Sequence, residues 1–498
     1  MDKYIDKSLL PLKPIDFKVM TTPSINALLL KQFNYEPTPG QEQVINQLGE
    51  FIKSTESNLL FILKGYAGTG KTTLVSALVK TLPAFKITPI LLAPTGRAAK
   101  VLGNYSNRQA LTIHKKIYKR KGEADNTGVF QCMPNLHSNA CFIVDEASMI
   151  ADNSTAESNY SSARSLLEDL LAYVREGVNC KIIFIGDAAQ LPPVGSDLSP
   201  ALDGEYLAKN FLVNIFQGEL KQVVRQKQES GILQNATLLR TILQNDKILT
   251  PVFEMEGFKD IVRISGGELE DAINDAYGKW GREDTMIICR SNKRANIYNQ
   301  QIRARILWNE EEISAGDLMM VVKNNYFWLP DTSKAGFVAN GDIVEILKVK
   351  ARKEAYGFSF ADVVLRMADY PEEAEFEAKL LLNTISSESP SLNSSENKQL
   401  YEKVMEDYMH ITNKRERFLK LKKDPFFNAL QVKFAYAITC HKSQGGQWPC
   451  VFVEQGYLTK DMINREYIRW LYTAVSRASE KLYLVNFTND FFTETLQE

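Results

Sequence analysis

Lys71 has the most legible chemistry in the chain because of its neighbours. Gly65-Tyr66-Ala67-Gly68-Thr69-Gly70-Lys71-Thr72 fits the pattern G-x-x-x-x-G-K-[ST] in full. Glycines at these places let backbone N–H groups approach phosphate oxygens closely. A helix starting at the lysine would add the positive end of its dipole. Gly65, Gly68, Thr69, Gly70, Lys71, Thr72 and Thr73 are therefore expected to hold a nucleoside triphosphate, with Lys71 on the β/γ-phosphates and Thr72 on Mg²⁺. Downstream, Ile143-Val144-Asp145-Glu146 ends an apolar run with two acids. Asp145 is expected to serve Mg²⁺, and Glu146 to polarise an attacking water as general base.

Such groups need rigid elements beneath them. Leu59-Leu60-Phe61-Ile62-Leu63 is a continuous apolar run of strand length directly before the glycine loop, and a helical pattern follows from Thr73 to Leu82. Ile90–Leu92, Cys141–Val144 and Ile182–Ile185 are further buried-strand runs, separated by helical patterns. The texture returns at Met286–Cys289, Phe434–Ile438, Val451–Val453 and Leu482–Val485. Strand alternating with helix predicts two parallel α/β blocks. Helices are also expected from Ser24 to Phe33 and from Pro39 to Phe51. Between the later runs, residues 340–369 alternate apolar and polar, which predicts a small antiparallel β unit. The serine- and asparagine-rich stretch 383–397 reads as loop or disorder, and a polar helix is expected from Lys398 to about Lys423.

The 498 residues leave room for two to four domains at roughly 150 residues each. No apolar run reaches the ~18–20 residues of a membrane span, and the charged start, Met1 to Leu12, is not expected to act as a secretion signal. The six cysteines include no C-x-x-C pair, which disfavours a zinc site or disulfide framework and suits a reducing, cytoplasmic setting. The net charge of −1 means that any nucleic-acid partner must be met by a local basic groove.

Further strings identify a resemblance. Asp145-Glu146-Ala147-Ser148-Met149 and Gly186-Asp187-Ala188-Ala189-Gln190-Leu191-Pro192-Pro193-Val194-Gly195 resemble motifs II and III of superfamily 1 helicases. Ala437 to Gly445 resembles motif V, and Tyr472-Thr473-Ala474-Val475-Ser476-Arg477-Ala478 motif VI. Thr38-Pro39-Gly40-Gln41 resembles the Q motif, Ala93 to Ala99 motif Ia, Thr112-Ile113-His114 motif Ib, and Leu220 to Gln226 motif IV. Asn340-Gly341-Asp342 stands where relatives carry an Asn-Gly-acid signature. In this order the motifs are similar to the RecD-like and Dda-like helicases of group B, over about residues 41 to 480.

The resemblance implies an α/β chain of two RecA-like P-loop folds, with a small β-hairpin insert in the first and a barrel-like insert in the second. The expected limits are an N-terminal extension over 1–35 and a first fold over 36–230, with the hairpin wedge within 115–140. A second fold takes 231–340 and 431–498, and the barrel 341–430. The resemblance also assigns roles. Gln41 would read adenine, Gln190 would sense the γ-phosphate, Arg225 and Arg477 would be arginine fingers, and Gly445 would approach the nucleotide. Pro94, Thr95, Arg97, Thr112 and His114 would touch DNA from the first fold, and His441, Ser443 and Gln444 from the second. The residues alone leave both histidines open to a buried structural role, and the basic strips Lys115–Lys121 and Lys414–Lys423 open to being solvated faces.

The activity implied is ATP- and Mg²⁺-dependent separation of duplex DNA by movement along single-stranded DNA, 5′→3′, in replication, recombination or repair. The expected partners are single-stranded DNA, single-strand/duplex junctions and a repair or replication protein, and the chain is expected to act as a monomer. A translocase that does not unwind, or a DNA-binding subunit of a recombination complex, is the alternative.

Overall fold

The computed structural model describes residues 24–492, apart from 121–129, 153–163, 225–228, 246, 331–332, 334, 336, 369 and 371–372. The expected N-terminal extension is described only from Ser24. There, the helix Ile25–Phe33 buries Ile25, Leu29 and Phe33 in the core of the first fold.

The first fold is built on β1 (Leu59–Gly65), β2 (Thr88–Ala93) and β3 (Ala110–Thr112). A separate antiparallel pair follows, β4 (Tyr118–Arg120) with β5 (Phe130–Cys132), at the place expected for the wedge. Residues 121–129, which join the two strands, lie outside the described residues. Then come β6 (Ala140–Val144), β7 (Lys181–Gly186) and β8 (Asn214–Leu220). Among the described residues the sheet runs β3-β2-β6-β7-β1-β8, with all neighbours parallel. Its strands read as unbroken apolar runs because both faces are covered. In β1, Leu59, Phe61 and Leu63 enter one core, while Leu60 and Ile62 enter the other.

The second fold contributes β9 (Ile261–Ile264) and β10 (Thr285–Cys289). The chain then enters a closed barrel of β11 (Leu318–Val321), β12 (Ile343–Ala355), β13 (Phe358–Met367), β14 (Phe376–Leu381) and β15 (Leu430–Phe434). It returns through β16 (Ala437–Thr439), β17 (Trp448–Glu454) and β18 (Ala478–Val485) to complete a parallel sheet ordered β16-β10-β17-β18-β9.

Four expectations need correction. The run Phe434–Ile438 is two strands: β15 belongs to the barrel and β16 to the second sheet, with Ala435 and Tyr436 crossing between them. The barrel also takes β11, well before residue 341, and extends past 430. The 383–397 stretch is ordered at both ends. Asn383–Ser386 is a helical turn, and Asn393 caps the helix Ser394–Glu406 through a capping box with Glu396, whose reciprocal bonds outweigh the serine-rich composition. The polar helix expected to Lys423 is two helices, Ser394–Glu406 and Lys414–Lys422.

Candidate nucleotide cleft and nucleic-acid groove

β1 ends at Gly65 and the chain turns into the helix Lys71–Thr81 through Gly68 (φ 73°) and Gly70 (φ 87°). Both sit in the left-handed region, which glycine enters without a steric penalty. No side chain caps this helix, so its first N–H groups face the cleft as donors. Lys71 Nζ donates to the carbonyls of Gly65 (2.5 Å) and Tyr66 (3.1 Å).

Gln41 braces this loop. Its amide oxygen accepts the Thr38 N–H at 2.9 Å, and its Nε2 donates to the Thr69 carbonyl at 3.0 Å. Both ends of the amide are used inside the fold, so the adenine-reading role expected for Gln41 would require those bonds to be exchanged. Gln41, Gly68, Gly70, Lys71, Thr72 and Thr73 line the cleft, and Gly65 and Thr69 are not among its lining residues.

The acids follow β6. Asp145 Oδ1 accepts the Glu146 N–H (2.9 Å) and Oδ2 accepts the Tyr105 hydroxyl (2.6 Å). Glu146 has φ 50°, a conformation rare outside glycine and asparagine, and it lines the cleft beside Asp145. Burial raises its carboxyl above the usual range, opposed by Arg477 at 4.0 Å. Arg477 arrives from the second fold on the loop after the helix Arg465–Val475. It donates to the Thr473 carbonyl (3.1 Å), the Gly446 carbonyl (3.0 Å) and Ser476 Oγ (3.2 Å). Gln190 lines the same cleft, and its buried amide oxygen has no hydrogen-bond partner among the described residues. Gly445 (φ 73°) lines it from the second fold, packed so that a Cβ would fall 2.7 Å from Ala98 Cβ. Together these residues enclose a cleft of about 1200 Å³ between the two sheets. Arg225 lies outside the described residues.

A second cavity, of about 230 Å³, gathers Pro94, Thr95, Arg97, Thr112, His114, His441 and Gln444, all but one of the expected DNA contacts. The exception is Ser443, which is buried with Oγ donating to the Cys440 carbonyl at 2.7 Å; it closes a helical turn and does not face the groove. Thr95 and Thr112 cap helices by accepting the N–H groups of Ala98 and Lys115. Arg97 stacks 4.2 Å over Trp448. Burial pushes the His114 imidazole down to about 4, so it is neutral near pH 7.

Lys442 also lines this groove and was not anticipated. Its Nζ is buried with no hydrogen-bond partner among the described residues, and burial together with Lys433 pushes it down to about 7. Asn324, Phe337 and Asn340, at the barrel side, complete the wall. Of these, only Asn340 carries a sequence hint, in the Asn340-Gly341-Asp342 signature. Two bonds tie groove to cleft. Gln444 Nε2 donates to the Leu191 carbonyl (2.7 Å), and Thr473 Oγ1 accepts the Leu191 N–H (2.9 Å).

Two family models match the chain: an AAA domain over residues 37–244 and a UvrD-like helicase C-terminal domain over 434–485. The ATP-dependent RecD2 DNA helicase of Deinococcus radiodurans is 32% identical over 39% of this chain and 23% of its own length. The ATP-dependent DNA helicase Dda of Enterobacteria phage T4 is 26% identical over 57% of this chain and 60% of its own. An uncharacterised protein of Acanthamoeba polyphaga mimivirus is 25% identical over 89% of this chain and 98% of its own. The chain thus spans less than two thirds of either characterised relative.

A phosphate loop on one parallel sheet, completed by an arginine from a second, defines a two-fold P-loop ATPase. Within that class the chain is similar, over the parts matched, to the ATP-dependent DNA helicases RecD2 and Dda. No helix among the described residues is long and apolar enough to cross a membrane.

Proposed function

We propose that the chain moves 5′→3′ along single-stranded DNA, driven by Mg²⁺-dependent ATP hydrolysis, and parts the duplex at a junction. The observation that carries this reading is the sharing of both cavities by the same two folds: the cleft holds Glu146 against Arg477, the groove holds His114 opposite His441, and Leu191 is bonded across between them. The polarity is taken from the family.

In this reading the loop amides and Lys71 hold the β- and γ-phosphates. Thr72 and Asp145, both hard oxygen donors on the cleft wall, suit Mg²⁺, which neutralises phosphate charge when bound. Glu146, whose raised carboxyl lies nearer neutral pH, takes the proton of the attacking water. Arg477 meets the charge that builds on the γ-phosphoryl group, a role worth roughly 10³–10⁵ in rate. Arg225 is assigned the same task by resemblance. Closing and opening the cleft then alternates the grip of the two groove walls. Opening DNA costs ~1.4 kcal/mol per base-pair step. Stacking a freed base returns ~1–3 kcal/mol, so passive capture holds only a pair or so open, and repeated ATP cycles are needed. The β4–β5 pair is assigned as the base of the wedge. A reducing, cytoplasmic setting is assigned from the six cysteines, which include no C-x-x-C pair.

The test is strand separation on partial duplexes with a 5′ or a 3′ single-stranded tail, with ATP and Mg²⁺, beside Lys71→Ala. Unwinding of the 5′-tailed substrate alone, lost in the variant, is expected. Hydrolysis stimulated by DNA with neither substrate opened would make the chain a translocase instead.

A further inference from the structure

The hydroxyl of Tyr472 sits where the phosphate loop, the Asp187–Leu191 turn and the second fold meet, and it does not line the nucleotide cleft. The side chain is 1% exposed. It accepts the N–H of Ala67, in the phosphate loop, at 3.0 Å and donates to Asp187 Oδ2 at 2.5 Å. A phenol has one proton to give and lone pairs to receive, and both capacities are used here across the interface of the two folds. Burial and the neighbouring Asp187 push its ionisation well above the ordinary tyrosine value, so the proton stays in place. Asp187 is itself buried, and its other oxygen accepts the Ala189 N–H at 2.9 Å. Two residues on, Leu191 is held through its N–H by Thr473 and through its carbonyl by Gln444. Gln444 belongs to the groove wall. An unbroken set of bonds therefore runs from the phosphate loop through Tyr472 and the 187–191 turn to the groove.

We propose that Tyr472 is a positioning residue that couples the nucleotide cleft to the nucleic-acid groove; the proposal rests on the motor reading above. Its hydroxyl fixes the phosphate loop to the turn that bears Gln190. A shift of Ala67 on gripping phosphate then changes the seat of Leu191, and through Gln444 the shape of the groove. Coupling of this kind is reciprocal: whatever factor a nucleotide imposes on DNA affinity, DNA imposes on nucleotide affinity. A phenyl ring fills the same space but carries neither bond.

The experiment compares wild type, Tyr472→Phe, Asp187→Asn and Asp187→Ala in full-length protein. Two ratios are read: ATP hydrolysis with oligo-dT over hydrolysis without it, and oligo-dT affinity with a non-hydrolysable ATP analogue over affinity without it. Tyr472→Phe is expected to cut both ratios toward one, by roughly the 5–150-fold range of allosteric couplings, while the DNA-free rate falls far less. Asp187→Asn, which keeps an oxygen to accept the phenol, should retain more of each ratio than Asp187→Ala. Wild-type ratios in Tyr472→Phe would overturn the proposal and leave the motor reading standing. Equal losses with and without DNA would also overturn it, since they mark damage to the hydrolytic site rather than to coupling. Absence of DNA stimulation in the wild type would remove the motor reading and the proposal together.

Discussion

The cleft and the groove lie between the same two folds but treat positive charge differently. In the cleft, Lys71 rests on two backbone carbonyls, and Arg477 rests on two carbonyls and a hydroxyl. In the groove, Lys442 Nζ is buried with no such support, although the neighbouring Lys433 has the carbonyls of Thr384 and Ser387. The cations of the cleft are already seated on the protein, which suits a site that must stabilise charge during reaction. The groove holds a buried amine whose charged form is costly until an anion arrives. One site is built for rate and the other for capture.

Several variants would break or sharpen that contrast. The largest effect is expected for Glu146→Gln, with kcat for ATP hydrolysis down about 10²–10⁴-fold and oligo-dT affinity nearly unchanged. A parallel collapse of DNA affinity in binding titrations would mean that the two sites do not divide the work this way. Lys442→Met is next. It should weaken oligo-dT binding about tenfold at low salt and flatten the slope of log K against log salt by about one.

Lys442 also sets a pH dependence. The free ammonium titrates at about 7 and a bound phosphate raises that value, so binding takes up a proton above neutrality. Wild-type affinity should therefore fall between pH of about 7 and about 9, and the Met variant should stay flat, as read by fluorescence anisotropy. Without DNA the variant should melt at a higher temperature than wild type, because a side chain that is charged in the unfolded chain and costly to bury has gone. The smallest effect is expected for Tyr105→Phe, which removes one hydrogen bond to Asp145. Thermal unfolding should register about 0.5–1.5 kcal/mol, with a few-fold change at most in the Mg²⁺ dependence of hydrolysis.

The same contrast explains what could be read from sequence. Phosphate chemistry needs contiguous residues on one strand–turn–helix, so Gly65 to Thr72 names itself, and Asp145-Glu146 follows from the strand before it. The groove is assembled from both folds and the barrel side. The first-fold and second-fold contacts came through motif resemblance, while Asn324 and Phe337, remote in sequence, carried no signal. Lys442 stood in plain view between His441 and Ser443, but its significance lies in burial, which only packing sets. Ser443 shows the converse: a hydroxyl in the right string, turned inward by its helical turn. Gln41, which lines the cleft, also closes the Thr38–Gln41 capping box that the sequence spells out, a structural task beside the expected one. The β15–β16 join was missed because Phe434 to Ile438 is buried throughout, so no break in hydrophobicity marks the passage from barrel to sheet.

That join has a mechanical consequence. β15 is a stave of the barrel and β16 the outer strand of the second sheet, and the two residues between them are buried and pinned. The Ala435 N–H donates to the Leu318 carbonyl on β11, and the Tyr436 hydroxyl is held by Asp317 and the Leu318 N–H. The groove helix Cys440–Ser443 continues directly from β16. Barrel, sheet edge and groove wall thus follow one another along the chain with only two buried, hydrogen-bonded residues between barrel and sheet. In the motor reading proposed above, load placed on the barrel by a blocked strand would pass along this bonded path to the groove wall.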